Sequence, residues 1–144
     1  MPGEETAGAQ PDLRGVRVLL VEDDPDGRYA IEELLVLHGA AVTSAASLVE
    51  ALACLERGHD VLVSDIGMPG GDGYELLACV RRLPPERGGE IPAVALTAYA
   101  RWEDRTRALR AGFRAHVPKP VDPLALLAAI HDATPGPRDG AARA

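Results

Sequence analysis

The sequence has almost no lysine and few aromatic residues. Of the 15 positively charged residues in the 144-residue chain, fourteen are arginine and one is lysine, Lys119. Only one tryptophan, three tyrosines and one phenylalanine are present, so a core has to be built from Leu, Val, Ile and Ala. Lysine carries a compact charge with rotatable donors, whereas arginine carries a rigid fork. The single lysine therefore indicates a site that needs an ammonium group, although a surface lysine without a role is the other interpretation.

Other features that the sequence lacks disfavour several classes of protein. No apolar run approaches the roughly 20 residues of a membrane-spanning helix, and no signal-peptide pattern begins the chain. The net charge of −7 disfavours binding to nucleic acid or to an anionic membrane surface. The two cysteines, Cys54 and Cys79, are widely spaced and flanked by apolar residues, which is typical of core residues in a reducing compartment. We expect a cytoplasmic protein that binds neither nucleic acid nor a membrane.

Short apolar runs alternate with amphipathic segments through the middle of the chain. The runs that predict strands are residues 16–21, 41–43, 61–63, 93–96 and 115–117. Helix signals separate them, such as Asp24 before Pro25 and the pairing of Asp72 with Glu75. Five strand–helix units in a row predict an α/β fold in which a parallel sheet is covered by helices on both faces.

The length of the chain bounds the number of domains. A chain of 144 residues supports one domain with one core, which we place at residues 15–132. The flanking segments, 1–14 and 133–144, are rich in Gly, Pro and Ala and show no apolar periodicity. We expect both segments to be disordered tails.

Polar residues follow four of the five predicted strands. Glu22 and Asp23 follow the first strand, Asp65 the third, Thr97 the fourth and Lys119 the fifth. Because parallel sheets bind ligands beyond the carboxyl ends of their strands, we expect these side chains at one edge of the sheet. Each close carboxylate pair there repels by roughly 4 kcal/mol at about 4 Å, which a bound Mg²⁺ would relieve. The set predicts a phosphoryl group on or near Asp65, with a metal bridging.

Four short motifs contain these residues. They are Val21-Glu22-Asp23-Asp24-Pro25, Asp65-Ile66-Gly67-Met68-Pro69 with residues 70–74 after it, Leu96-Thr97-Ala98, and Pro118-Lys119-Pro120. In order and spacing, over about residues 15–132, they resemble the motifs of a response-regulator receiver domain. The resemblance implies a flavodoxin-like fold, with a single doubly wound five-stranded parallel sheet of order 2-1-3-4-5 flanked by five helices. It also implies a phosphoacceptor in two-component signalling rather than an enzyme with a separate turnover substrate.

The resemblance implies roles for the acidic residues. Asp65 would accept a phosphoryl group from a histidine kinase or a histidine phosphotransfer protein, and the domain would catalyse much of that transfer and its own dephosphorylation. Mg²⁺ would be bound by Asp23, by Asp65 and by the backbone carbonyl of Gly67. Glu22 would hold a metal-bound water.

The resemblance also implies a switch. Thr97 and Lys119 would each contact a phosphoryl oxygen, and the peptide bond between Lys119 and Pro120 is often cis in this family. The family commonly carries an aromatic switch residue three positions before the lysine, where this sequence has His116. We predict that His116 acts with Thr97 as the switch, in a form that could respond to pH. The other interpretation is a half-exposed histidine at a strand end.

A downstream partner is implied as well. In receivers, the surface of helix four, strand five and helix five often contacts the partner protein, and here the predicted fourth helix carries Trp102, Arg105 and Arg107. A merely solvated helix is the other interpretation of these charges. The domain would act either as a stand-alone single-domain regulator or as the receiver portion of a hybrid kinase.

Two alternative functions remain. The stretch Asp24-Pro25-Asp26-Gly27 resembles the nucleophile motif of haloacid-dehalogenase phosphatases, which would make Asp24 and Asp26 catalytic and leave Asp65 without a role. Because Pro25 follows it, Asp24 is more typical of a helix cap. A binding module that works without phosphorylation is the second alternative, and the complete set of acids with Thr97 and Lys119 disfavours it.

Overall fold

Five strands and five α-helices alternate along the chain in a computed structural model that describes residues 12–68, 72–98 and 101–134. The strands are β1 (Arg17–Val21), β2 (Ala41–Ala45), β3 (Val61–Asp65), β4 (Ala93–Thr97) and β5 (Ala115–Pro118). The helices are α1 (Pro25–Leu37), α2 (Leu48–Leu55), α3 (Gly73–Arg81), α4 (Trp102–Ala111) and α5 (Pro123–Ala133), with a 3-10 helix at Pro85–Arg87. All five predicted strands are therefore present.

The strands form one parallel sheet in the order β2-β1-β3-β4-β5, which confirms the predicted fold class. The register determines which residues meet at the carboxyl edge. Val21 pairs with Ser64, so Glu22 is level with Asp65. On the other side of β3, β4 ends at Thr97, which pairs with Pro118 just before the lysine. The ends of β1, β3, β4 and β5 therefore lie side by side.

The core consists of two layers, one on each face of the sheet. Val18 and Leu20 of β1 pack in a cluster with residues of α1 and α5. Leu19 and Val21 pack in a second cluster with residues of α2, α3 and α4. Every residue of β3 and β4 is buried, as expected for central strands covered on both faces. Each helix thus packs on a fixed face, and the loops that join strands to helices are left at the carboxyl edge.

Side-chain caps begin two of the helices that border this edge. The carboxylate of Asp24 accepts the backbone N–H of Gly27 at 2.9 Å, at the start of α1. Asp72 and Glu75 form a reciprocal capping box at the start of α3. Both predicted caps are confirmed. They determine where the loops at the carboxyl edge end and the helices α1 and α3 begin.

The folded region begins before the residue at which we placed its boundary. Leu13, within the predicted N-terminal tail, is buried in the α1/α5 core layer, and its N–H donates to the carbonyl of His38 at 2.9 Å. A lone leucine between polar residues has no periodicity, so the sequence pattern did not reveal it. The rest of the predicted tails, apart from Asp12, Arg14, Ala133 and Thr134, lies outside the described residues.

The helices are short. The longest, α1, has 13 residues, and in the described part of the chain no helix has the length and apolar composition needed to cross a membrane.

We expect Leu126→Ala to destabilise the domain strongly and Leu124→Ala to have little effect. Both leucines lie on α5, but Leu126 is fully buried whereas Leu124 is 52% exposed. Truncating a buried leucine typically costs about 2–5 kcal/mol, and a surface substitution less than about 0.5 kcal/mol. Urea unfolding of both variants measures the difference, and equal losses would contradict the packing of α5 described above.

Candidate functional site

Three carboxylates meet at the carboxyl edge of the sheet. Glu22, Asp23 and Asp65 each offer an oxygen, and these oxygens lie within 4.8 Å of one another. Glu22 and Asp65 are buried and Asp23 is half-buried. The structure therefore brings together the three acids that the sequence placed after β1 and β3, at a spacing that suits a divalent cation.

One ammonium group links two of these acids. The Nζ atom of Lys119 donates to Glu22 Oε1 at 2.7 Å and to Asp65 Oδ2 at 3.1 Å. The backbone N–H of Lys119 donates to the carbonyl of Thr97 at 2.7 Å, and the Lys119–Pro120 bond is cis, which confirms that prediction. The only lysine of the chain thus connects the ends of β1, β3, β4 and β5.

Burial and pairing shift two pKa values in the site. Burial raises the pKa of Glu22, and the hydrogen bonds from Lys119 and from the Asp24 N–H offset only part of that rise. Burial alone would lower the pKa of Lys119, but its hydrogen bonds to Glu22 and Asp65 outweigh burial and leave the pKa raised. Lys119 therefore stays an ammonium at neutral pH.

Both oxygens of Asp65 are oriented by the surrounding loop. Oδ2 accepts from Lys119, and Oδ1 accepts the backbone N–H of Gly67 at 3.3 Å. The helix α3 begins directly against this residue, because Gly73 has no side chain. A Cβ at Gly73 would lie 2.6 Å from the carbonyl oxygen of Asp65 and 3.0 Å from the Cα of Ile66. The glycine allows the helix to start at this distance.

Sequence reasoning missed an arginine at the edge of the site. Arg28 Nη1 donates to the carbonyl of Glu22 at 2.8 Å and to that of Asp23 at 3.4 Å. Its one sequence signal was position, since Arg28 is the only lysine or arginine between Arg17 and Arg57. It fixes the backbone of the loop from which the acid pair projects.

The predicted switch residues share one face of the sheet. Thr97 is buried and His116 is half-buried. Ala95 packs in the α2/α3/α4 core layer and Val117 in the α1/α5 layer. Because side chains alternate along a strand, Thr97, two residues after Ala95, and His116, next to Val117, both lie on the side of α4. Ala95 pairs with His116 across the two strands, so the two switch positions are diagonal neighbours.

One residue of the predicted surface on α4, Arg107, packs on an aromatic ring. The guanidinium carbon of Arg107 lies 4.1 Å from the centre of the Tyr74 ring, and that ring packs edge-on against Phe113. Arg107 therefore contacts α3 while remaining exposed. Trp102 is 73% exposed.

Comparison with known proteins identifies the family. The family model of the response regulator receiver domain matches residues 18–131. The chain belongs to the receiver family. This receiver is 51% identical over 116 residues to an uncharacterised 14.6 kDa protein of Leptolyngbya boryana, covering 80% of this chain and 87% of that protein. It is 36% identical over 112 residues to the response regulator protein FleR of Pseudomonas aeruginosa, covering 77% of this chain but 23% of FleR.

A solved structure supports the same assignment. The receiver domain of a sensor histidine kinase from Pseudomonas aeruginosa PAO1 is 33% identical and superposes with a TM-score of 0.73, covering 83% of this chain and 97% of that one. A magnesium ion is coordinated in the active-site cleft of that domain. Receiver domains thus occur both in response regulators and in kinases, and this chain is a receiver of two-component signalling.

The phosphatase alternative is not favoured by these findings. The receiver family model covers the segment that contains Asp24 and Asp26. Asp24 also caps α1 through the N–H of Gly27, which is a structural use of that carboxylate.

We expect Gly73→Ala to destabilise the receiver and displace its acidic loop, whereas Gly67→Ala should be tolerated. A Cβ at Gly73 would overlap the backbone of Asp65, but a Cβ at Gly67 would meet no atom of the described residues within 4 Å. Overpacking of this kind costs about 1–3 kcal/mol, and an unhindered surface change less than about 0.5 kcal/mol. Urea unfolding measures both, and a Gly73→Ala variant as stable as Gly67→Ala would contradict the close approach of α3.

Proposed function

We propose that this receiver accepts a phosphoryl group on Asp65 in a Mg²⁺-dependent reaction and signals to a protein partner by a conformational change. The donor is a histidine kinase or a histidine phosphotransfer protein. The observation that carries the proposal is the position of Asp65 between a carboxylate, Asp23, and the ammonium of Lys119. A phosphoryl group on Asp65 would have cationic partners on both sides once a metal is bound.

The residues present fit Mg²⁺. Among the residues that the structure describes, the carboxylate of Asp23 accepts no hydrogen bond and makes no ion pair, so it is available to a metal. Asp65 and the carbonyl of the exposed Gly67 complete a set of hard oxygen ligands, which Mg²⁺ prefers. Glu22 is already bonded to Lys119 and to the N–H of Asp24, which favours a role through a metal-bound water. When bound, the metal neutralises charge between Asp65 and the incoming phosphoryl group.

The transfer itself needs little from the protein besides position and charge. The N–P bond of the donor phosphohistidine breaks as an O–P bond to Asp65 forms, and the electron pair of the broken bond returns to the imidazole, which takes up a proton. Lys119 can then contact a phosphoryl oxygen in place of the Asp65 oxygen. Thr97, at the adjacent strand end, supplies a hydroxyl to another oxygen.

A groove beside the acids offers room for the donor. It has a volume of about 360 Å³ and opens next to Glu22 and Lys119. Its apolar part lies between α1 and the start of α5 and is lined by Ala30, Ile31, Leu34, Val121 and Pro123. Apolar side chains of a donor helix would fit here while its histidine approaches Asp65. The groove supports a protein donor for this receiver.

The signal would leave through the side of α4. Thr97 and His116 lie on that side of the sheet, and α4 begins five residues after Thr97. The surface of α4, β5 and α5 presents the exposed Trp102, a residue enriched in protein contacts. We propose that the phosphorylated state moves Thr97 and His116 and alters this surface for an unidentified downstream protein.

Phosphorylation tests the proposal directly. We expect the intact mass of the wild type to rise by one acid-labile phosphoryl group with acetyl phosphate and Mg²⁺, and not with chelator present. Asp65→Asn should gain none, because an amide is not a nucleophile for this transfer. Asp24→Asn serves as the matched control and should be phosphorylated, because Asp24 caps α1.

Two results would contradict this expectation. A label that persists in Asp65→Asn, or steady phosphate release that depends on Asp24, would support the phosphatase alternative. A wild type that gains no group from acetyl phosphate or from a phosphorylated histidine phosphotransfer protein would support a module that binds without phosphorylation.

The switch can be followed through the one tryptophan of the chain. We expect phosphorylation to change the fluorescence of Trp102, because α4 follows the loop after Thr97. Thr97→Ala should still be phosphorylated but lose most of that change, since it has no hydroxyl for the phosphoryl oxygen. Thr97→Ser keeps the hydroxyl and should retain the response. If Thr97→Ala responds like the wild type, Thr97 is not part of the switch.

A further inference from the structure

We propose that Arg28 is a positioning residue that presents the Asp23 carboxylate to Mg²⁺. Its guanidinium holds the backbone carbonyls of Glu22 and Asp23 and thereby fixes the loop from which Asp23 projects. This inference rests on the Mg²⁺-dependent function proposed above and deepens it. It adds a residue that contacts neither the metal nor the phosphoryl group.

The geometry places Arg28 at both ends of the loop. Its backbone N–H donates to the carbonyl of Asp24 at 2.9 Å, within the first turn of α1. Its side chain extends back to the end of β1, where Nη1 lies 2.8 Å from the carbonyl oxygen of Glu22 and 3.4 Å from that of Asp23. The side chain is half-buried, so water competes less for these hydrogen bonds than at a free surface. Arg28 thus closes the short loop between β1 and α1.

The Arg28 guanidinium bonds to main-chain carbonyls although carboxylates are close by in the sequence. Four carboxylates, those of Glu22, Asp23, Asp24 and Asp26, belong to the segment that Arg28 crosses. Yet within residues 12–68, 72–98 and 101–134, the guanidinium makes no ion pair with any carboxylate. Its hydrogen bonds go to the main chain instead. The backbone of the loop is fixed while the Asp23 carboxylate stays available.

The two acids that flank Asp23 in the sequence, Glu22 and Asp24, are already in use. Glu22 Oε1 accepts from Lys119 at 2.7 Å and Glu22 Oε2 from the N–H of Asp24 at 3.2 Å. Asp24 Oδ2 accepts from Gly27. Asp23 is therefore the acid of the pair that is left for the metal, and the direction of its side chain depends on the backbone that Arg28 holds.

Position and charge predict opposite effects of removing Arg28. A cation close to a Mg²⁺ site repels the metal, so loss of the charge alone would tighten Mg²⁺ binding. Loss of a group that orients a metal ligand weakens binding, typically by about 10-fold or more. The sign of the change in affinity therefore separates the positioning role from a purely electrostatic one.

Calorimetric titration of the unphosphorylated chain with MgCl₂ tests the inference. We expect Arg28→Ala to weaken the Kd for Mg²⁺ by about 10-fold. Arg28→Lys, which keeps the charge but has a single nitrogen donor group, should lie between Arg28→Ala and the wild type. Arg110→Ala, which removes an exposed arginine of α4, is the matched control and should bind as the wild type does.

Two further measurements exclude a general loss of structure. Without metal, backbone hydrogen exchange of Asp24 should become faster in Arg28→Ala. The Asp24 N–H donates to the Glu22 carboxylate, and this hydrogen bond lies within the loop that Arg28 holds. At saturating Mg²⁺, the rate of phosphorylation by acetyl phosphate should recover to near the wild-type rate. If Arg28→Ala does not fold, Arg28→Gln, which retains one amide donor group, takes its place in each measurement.

The outcomes separate this inference from the function on which it rests. A wild type that binds no Mg²⁺ overturns both. Wild-type binding with an unchanged or tighter Kd in Arg28→Ala, or with unchanged exchange of the loop, overturns only the positioning role. Weaker binding together with faster exchange and a recovered rate at saturating metal supports it.

Discussion

Repulsion among the three carboxylates at one edge of a parallel sheet is the constraint on which the site depends. Glu22 and Asp65 are both buried, and burying an unpaired carboxylate is costly. The ammonium of Lys119 contacts both of them, and this contact is possible because the strand register brings the ends of β1, β3 and β5 level. The apolar sheet fixes the positions of the three carboxylates, and the ion pairs of Lys119 offset the cost of burying two of them, Glu22 and Asp65. Within the described part of the chain, the Asp23 carboxylate has no such partner.

The division between arginine and lysine follows from this constraint. A compact ammonium fits between two buried carboxylates, whereas a guanidinium serves where several acceptors or a flat ring must be met. Arg28 meets two main-chain carbonyls and Arg107 meets the ring of Tyr74. Tyr74 directly follows Gly73, whose N–H donates to the carbonyl of Ile66, the residue after Asp65, at 2.9 Å. The loop that carries Asp65 is therefore connected to α4 through α3, in addition to the predicted path through Thr97.

The sequence was sufficient to predict the elements and the meeting of the acids, because both follow from regular patterns. Continuous apolar runs predicted the buried strands, and the strand-end rule for parallel sheets then placed Asp65 near Glu22 and Lys119. The contacts of Arg28 and Arg107 could not be predicted in the same way. A guanidinium can pair with a carboxylate, a carbonyl or a ring, and tertiary distances alone decide among them. The burial of Leu13 was missed for a related reason, since a single apolar residue between polar ones forms no hydrophobic periodicity.

The direction of the chain also determines how this domain can be joined to others. The strands run toward the acidic edge and the helices run back, so β1 starts and α5 finishes at the opposite edge of the sheet. Both ends of the described fold therefore lie at the edge of the sheet away from Asp65. Similar units occur in proteins of very different size, since the match covers only 23% of FleR but 87% of the 14.6 kDa protein of Leptolyngbya boryana.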